Sequence, residues 1–417
     1  MRQTEAAAVA LDESEVELTV SIDSLMPRLI LSLAAICGAA AAATVSIPAS
    51  SPLVLFEGRT IDGGNGSRTF DWVGVSARVA VGNNFTFLSA TITDNCAGGN
   101  KFVVRMRAEG LPAVDVAAFY TRAGTAEYTL FGDKGRANFE GAVAEFTLIK
   151  AVEARFTQCD QVGGAGLAIE SFSADDAFLP PAPRARRFEL LGDSITAGDL
   201  LYCADSAAGA HYSTGNTLWS DSHAASYGSR ICAAFDASCT TIAWGGMGLI
   251  QNDVPVWTWP TIPVVYESAM AWDVSVRGEG QPLSFPWDFA AAPPPDAVFI
   301  GLGTNDAAGN FNNASFAARF VAEYVRFATQ IKATYAAANG GAGPEFFLIN
   351  ATCMTAVYAP SVAAAAATLK AAGARVAVLD LSLPNGTHCA CGHPSADQHL
   401  EMAQIAIPAV KAATGWV

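Results

Sequence analysis

Basic charge is scarce in this 417-residue chain: 24 Lys and Arg stand against 39 Asp and Glu, a formal net charge of −15. Nucleic acid and anionic membranes are recognised by clustered cations, so neither is expected as the main partner. Charge of either sign is sparse, at 15% of residues against 51% hydrophobic, which excludes wholesale disorder and permits a large buried core. Histidine is rarer still, with five in the chain, and this leaves few candidates for a general base. Long apolar runs are missing except at residues 29–43, and about 15 residues is short for a membrane span, which needs about 20. Nothing in the sequence calls for a cofactor. The length suits two ordinary domains.

The single apolar run follows Met26-Pro27-Arg28 and ends in small residues, the layout of a secretory signal peptide over residues 26–44. Residues 1–25 before it are acidic and aperiodic. They are either a mis-assigned start, with Met26 the true one, or a cytoplasmic extension of a signal anchor. The expectation is a cleaved signal and a secreted, extracellular protein with no stable membrane association afterwards; its oligomeric state is open. Of nine cysteines, Cys37 sits in the leader and eight remain, an even number that reads as disulfides in an exported chain. Cys96 with Cys159 and Cys232 with Cys239 are natural pairs, while Cys203, Cys353, Cys389 and Cys391 cannot be paired from sequence. Asn65, Asn84, Asn313, Asn350 and Asn385 each begin an Asn-x-Ser/Thr glycosylation sequon.

Residues 46–178 carry short β-like stretches at 77–81, 84–88, 101–105, 128–131 and 144–148, separated by Gly- and Asn-rich turns. This punctuation predicts a β-sandwich of jelly-roll type. Pro180-Pro181-Ala182-Pro183 then reads as a stiff linker over 179–186. From 187 to 417 the rhythm changes. Strand patterns at 187–191, 240–244, 296–302, 345–349 and 375–379 alternate with helical ones at 224–235, 315–338, 361–372 and 395–413. Such alternation predicts a doubly wound, flavodoxin-like parallel α/β/α sheet with right-handed crossovers.

Four motifs carry chemistry. Gly192-Asp193-Ser194 follows the first strand of this second region, at the edge where open α/β sheets place ligands. A serine there is exposed for attack, although the same residues also make an ordinary helix cap. Gly303-Thr304-Asn305-Asp306 ends another strand, and an Asn amide at that edge can donate to a developing oxyanion; it can equally form an Asx turn. Trp244-Gly245-Gly246 follows a third strand, where glycine lets a backbone N–H approach a substrate. His393-Pro394 precedes the last helix. The other histidines, His211, His223, His388 and His399, lie in loop, helix-start or helix-interior contexts.

Taken in order, Ser194, Gly246, Asn305 and His393 resemble the four name-giving positions of the SGNH (GDSL-type) hydrolase superfamily. Further stretches extend the likeness over roughly residues 50–415: Phe56-Glu57-Gly58-Arg59, Phe70-Asp71-Trp72-Val73-Gly74-Val75, residues 147–153, residues 187–193 and Trp287-Asp288-Phe289. Together they resemble carbohydrate esterase family 2, the acetylxylan esterase-like group that joins a jelly roll to an SGNH domain. The resemblance implies an O-acetylated carbohydrate, or another small acyl ester, as substrate. It also implies Ser194 as nucleophile, His393 as base, and Ser194, Gly246 and Asn305 as oxyanion donors.

In the superfamily an Asp often stands two or three residues before the catalytic His, where this chain has Ala390 and Cys391. A backbone carbonyl, as the resemblance implies for dyad members, or Asp380 or Asp397 is left to orient His393; losing an orienting acid outright can cost about 10⁴ in rate. The tract His388-Cys389-Ala390-Cys391-Gly392-His393 has zinc-type ligands, but its spacing is unlike a zinc site. A disulfide from Cys389 or Cys391 to Cys203 or Cys353, and no metal, is the expectation. Trp219, Trp244, Trp257, Trp259, Trp272 and Trp287 either stack on sugar rings or pack the core. Two rival functions remain, a general short-chain esterase or lipase and a catalytically degenerate carbohydrate-binding protein.

Overall fold

The computed structural model describes residues 44–417 except 83, 96–98, 109–110, 133–142, 154–165, 204–219, 254–258, 272, 274–281, 309–310, 337–340, 342, 352–354 and 384–391. Twelve short strands come first: β1 (Val45–Pro48), β2 (Leu55–Glu57), β3 (Ile61–Asp62), β4 (Arg68–Thr69), β5 (Ser76–Val81), β6 (Leu88–Asp94), β7 (Lys101–Ala108), β8 (Val114–Tyr120), β9 (Gly124–Phe131), β10 (Ala144–Lys150), β11 (Leu167–Ala174) and β12 (Phe178–Leu179). They form two antiparallel six-stranded sheets, one ordered β3-β4-β11-β6-β9 with β1 on β11, the other β12-β5-β10-β7-β8 with β2 on β5. This is the expected sandwich.

Burial along the strands tells what covers each sheet. β9 alternates exposed and covered residues, as a strand wet on one face should. β5 and β10 are buried at every position. One face of their sheet packs on its partner sheet, and the other is covered by the parallel region, where Val103, Ile149 and Ala151 meet Ala224.

That region begins with β13 (Arg186–Gly192) and α1 (Ser194–Ala197), followed by α2 (Tyr227–Ala234), β14 (Ala237–Ala243), α3 (Ile262–Val265), β15 (Ala297–Gly301), α4 (Ala314–Ala336), β16 (Glu345–Asn350), α5 (Thr355–Ala371), β17 (Val376–Asp380) and α6 (Ala396–Thr414). Its five strands are ordered β14-β13-β15-β16-β17, all parallel. In strand count from β13 this is the flavodoxin-like order 2-1-3-4-5, whose ligand crevice opens at the carboxyl end where the order reverses, between the first strand and the third. Residues 43–417 form one compact unit.

Local differences from the sequence pattern have physical causes. Of the expected strand at 84–88 only Leu88 is in a strand, and residues 84–87 are a turn: the Asp175 carboxylate, instead of a neighbouring strand, takes the amides of Thr86 and Phe87. The helix expected over 224–235 is broken at Ser226, which turns extended and caps α2 by accepting from the Ser229 amide. The helix expected from 361 starts at Thr355 and carries Pro360 inside it. The Pro-rich segment is fastened in place, since Arg78 donates to the Ala182 carbonyl and Arg184 pairs with Glu57, Glu145 and Asp236.

Cys232 and Cys239 are disulfide-bonded across a Cα separation of 6.3 Å, joining α2 to β14. Cys203 is also disulfide-bonded. Cys96, Cys159, Cys353, Cys389 and Cys391 lie outside them as well. Asn350 is buried at the end of β16, a position no glycan can reach, whereas Asn65, Asn84 and Asn313 face solvent. Among the described residues no helix is long and apolar enough to cross a membrane.

Two histidines are buried where the layers meet. His223 takes an N–H···O bond of 2.7 Å to the Ala151 carbonyl of the sandwich, and burial pushes its imidazole pKa down to about 4. Burial also pushes His399 down to about 3. Both folded values lie below the usual 6.5, so the stability these groups carry is whole above that pH and is lost as pH falls toward the folded values. The contribution of these two imidazoles to the melting temperature should be level above about pH 6.5 and fall on acidification toward pH 4. His223→Gln should be less stable near neutrality but show a shallower acid slope, which circular dichroism melts across pH would read.

Candidate active site

β14, β13 and β15 lie side by side, and Gly192 is in register with Ala243 on one flank and Gly301 on the other. Three loops therefore leave the sheet from a single row. Ser194 comes two residues beyond it, Gly246 three and Asn305 four. Residues 52 to 111 positions apart in sequence are thus delivered to one edge by strand register alone.

At the first loop, Asp193 turns extended and its carboxylate caps α1, accepting from the Ile195 amide at 3.0 Å. The cap reading of this motif holds: the Asp is a helix cap, and the cap sets Ser194 as the first helical residue. Burial pushes the Asp193 carboxyl up to about 7. The Ser194 hydroxyl is 2.8 Å from Nε2 of His393.

His393 reaches this point from the far end of the chain. The following helix, α6, starts with a capping box in which Ser395 and Gln398 satisfy each other's backbone amides. The Ala396 amide donates to the Leu201 carbonyl just past α1, at 3.1 Å. One turn into α6, His399 stacks on Tyr227 and accepts from its amide at 3.1 Å. The Tyr227 hydroxyl in turn meets Thr196 Oγ1 at 2.8 Å, inside α1. A buried chain from His399 through Tyr227 to Thr196 thereby fixes the His-bearing helix against the Ser-bearing one. Of the two acids considered for orienting His393, Asp380 accepts from Ser382 and Asp397 stands exposed.

The second and third loops are locked to each other. Gly246 adopts φ of 77°, the left-handed region open to glycine. The Asn305 amide donates to the Met247 carbonyl at 2.7 Å, which leaves its second N–H for another acceptor. Asp306 collects three amides of the Gly246 loop: Leu249 at 2.9 Å, Ile250 at 2.8 Å and Gln251 at 3.2 Å. Burial outweighs these donors and raises its carboxyl to about 6. Asn252 closes the turn by accepting from the Gly248 amide at 3.0 Å. Among the described residues neither the Ser194 nor the Gly246 amide donates to a protein acceptor. Chemically, a hydroxyl beside an imidazole, with unengaged N–H groups around the same edge, suits nucleophilic attack on a carbonyl and stabilisation of the resulting oxyanion.

Sequence reading named Ser194, Gly246, Asn305 and His393 but gave no role to Asp306, although it quoted the residue, nor to Glu153 or Tyr227. Their partners lie 55 to 172 residues away and leave no local pattern. Trp244 is buried edge-on against Trp72 and tilted against Trp259, which makes it a packing residue. Trp287 lies against the Arg59 guanidinium. Trp219, Trp257 and Trp272 lie outside the described residues, as do His211 and His388–Cys391 of the zinc-like tract. Among the described residues no group of three or more His, Cys, Asp or Glu is placed to hold a metal.

Comparison with known proteins adds a family, two relatives and a solved structure. Residues 188–406 match the GDSL-like lipase/acylhydrolase family. The cellulase/esterase CelE of Acetivibrio thermocellus is 27% identical over 288 residues, which are 68% of this chain and 30% of that protein. An acetylxylan esterase/glucomannan deacetylase of Cellvibrio japonicus is 30% identical over 155 residues, 36% of this chain and 37% of that one. This chain thus spans about a third of the length of these curated relatives. A family two carbohydrate esterase from Clostridium thermocellum, solved with cellohexaose, superposes with a TM-score of 0.69 at 21% identity, covering 87% of this chain and all of the other. The shared architecture is a jelly roll followed by an SGNH-type parallel sheet.

Removing the Asp306 carboxylate should free the loop it gathers. In Asp306→Ala, hydrogen exchange at the amides of Leu249, Ile250 and Gln251 should quicken by about tenfold or more, because buried donors lose their acceptor. Exchange in the jelly-roll strands should not change.

Proposed function

Since the chain belongs to the GDSL-like lipase/acylhydrolase family, its reaction is the hydrolysis of an ester bond, and we propose that it removes acetyl groups from carbohydrate by a Ser194–His393 acyl-enzyme route. The observation that carries this reading is the 2.8 Å approach of Ser194 Oγ to His393 Nε2. His393 takes the hydroxyl proton as Oγ attacks the acetyl carbonyl. The amides of Ser194 and Gly246 and the side chain of Asn305 hold the oxyanion. His393 then hands the proton to the departing sugar oxygen. Water, activated by the same imidazole, attacks the acetyl-enzyme and releases acetate.

Carbohydrate is favoured as the acyl carrier because the relatives carry such names, among them a cellulase/esterase and a glucomannan deacetylase. The fold is that of esterases of which one is solved with a cello-oligosaccharide. Export is part of the proposal. It rests on the leader-like residues 26–44 and on disulfides, which persist in oxidising compartments.

Acetate release from acetylated xylan, acetylated glucomannan and 4-nitrophenyl acetate tests the reading. Ser194→Ala and His393→Ala should abolish turnover of all three, and Asn305→Ala should lower kcat by about 10²–10³ through loss of one oxyanion donor. Hydrolysis of the nitrophenyl ester alone would point to a general short-chain esterase. Folded protein that turns over none of the three would contradict the proposal and favour a sugar-binding protein.

A further inference from the structure

The oxyanion loop is held from two sides, and one of them belongs to the sandwich. Glu153 lies just past β10 of the jelly roll. Its Oε2 accepts from the Gly245 amide at 2.5 Å, across 92 residues of sequence. Gly245 precedes Gly246, whose amide is assigned above to the oxyanion. From the other side Asp306 takes the amides of Leu249, Ile250 and Gln251. The Gly246 peptide thus sits between two carboxylate anchors, one from each half of the chain.

The position of Glu153 is itself fixed. Lys150, fully buried, donates from Nζ to the carbonyls of Val152 and Glu153 and so folds the end of β10 back on itself. Ala151 accepts from the His223 amide, which pins the same stretch against the region carrying α1. Space around Gly245 is filled by the contact. A Cβ there would come within 2.9 Å of Glu153 Oε1 and of Asp199 Oδ2, and Asp199 donates its amide to the Ser194 carbonyl at 3.0 Å. The carboxylate therefore touches the oxyanion loop directly beside the nucleophile turn.

We infer that Glu153 is a positioning residue for ester hydrolysis: the sandwich supplies, through this carboxylate, the acceptor that aims the Gly246 amide at the oxyanion. The inference rests on the Ser194 reading given above. It assigns the jelly roll a part in the chemical step, independent of any glycan it binds. Hydrogen bonding to Gly245 needs an oxygen at that place and not a charge, so the amide of Gln serves where the methyl of Ala does not.

Steady-state kinetics of the full chain on 4-nitrophenyl acetate, with near-UV circular dichroism on each variant, test this. Glu153→Ala should lose about tenfold to a hundredfold in kcat with KM changed by less than about twofold, the signature of a misplaced transition-state donor. Glu153→Gln should stay within about threefold of the parent, while Glu153→Asp, one methylene short, should fall with Ala. Parental kcat in Glu153→Ala, or equal damage in Gln and Ala, would overturn the inference. If Glu153→Ala does not fold, the Gln and Asp variants decide on the same terms. Ser194→Ala run alongside separates the two levels: turnover surviving that change refutes the nucleophile reading, whatever Glu153 does.

Discussion

A charge with no access to water has to be answered by the protein around it, and Arg59 is such a charge. It leaves the sandwich fully buried and enters the parallel region, where it donates to the carbonyls of Tyr266 and Ser268 and faces Glu189 at 3.9 Å. Tyr266, Trp287 and Phe289 surround its guanidinium with aromatic rings. Glu189 is completed by the hydroxyls of Tyr266 and Tyr335, each at 2.8 Å. Burial pushes the Arg59 guanidinium down and the Glu189 carboxyl up, and each is partly restored by the other. Removing one member of such a pair strands the second, which is far costlier than replacing both. The two halves consequently share one electrostatic commitment. Glu189 lies on β13, five residues before Ser194, so the strand that leads to the proposed nucleophile is also the strand the sandwich grips.

The site follows the same logic on a smaller scale. Parallel register brings the three strand ends to one row, but register alone leaves the loops beyond it without a fixed shape. Buried carboxylates supply that shape by collecting backbone amides: Asp193 for α1, Asp306 for the loop after Gly246, Glu153 for Gly245. A carboxylate accepts several N–H bonds at once and does so more strongly than a carbonyl. The donors left over at the edge, on Ser194, Gly246 and Asn305, are the ones proposed above to hold the oxyanion. Preorganised donors of this kind need no rearrangement at the moment of reaction.

Much of this was legible in the chain. The parallel sheet shows in the alternation of strand and helix patterns, and the four motif residues show because each follows a strand or precedes the last helix. The Cys232–Cys239 bridge shows because the two lie only seven positions apart. What stayed hidden shares one property, that its partner is remote in sequence. Asp306 looks like half of an Asn-Asp turn until the Leu249 loop is folded onto it. His399 is only one more residue within the last helix until Tyr227 stacks on it. The turn at 84–87 looked like a strand because its alternation is genuine, with Phe85 buried and Asn84 exposed, although Asp175 had already taken its amides. The linker reads as stiff from its prolines, but that composition says nothing of Arg184 and its three acidic partners.

Ser194 as nucleophile is the statement on which the chemistry stands, and covalent trapping reaches it without any assumption about the sugar. The folded protein would be treated with a fluorophosphonate, which loses fluoride as it forms a bond to an activated serine oxygen. Intact mass and peptide mapping would follow. A single adduct carried by Ser194, and lost in His393→Ala, is the expected result. Folded protein that takes up no label, or takes it up at another serine, would contradict the assignment of this site.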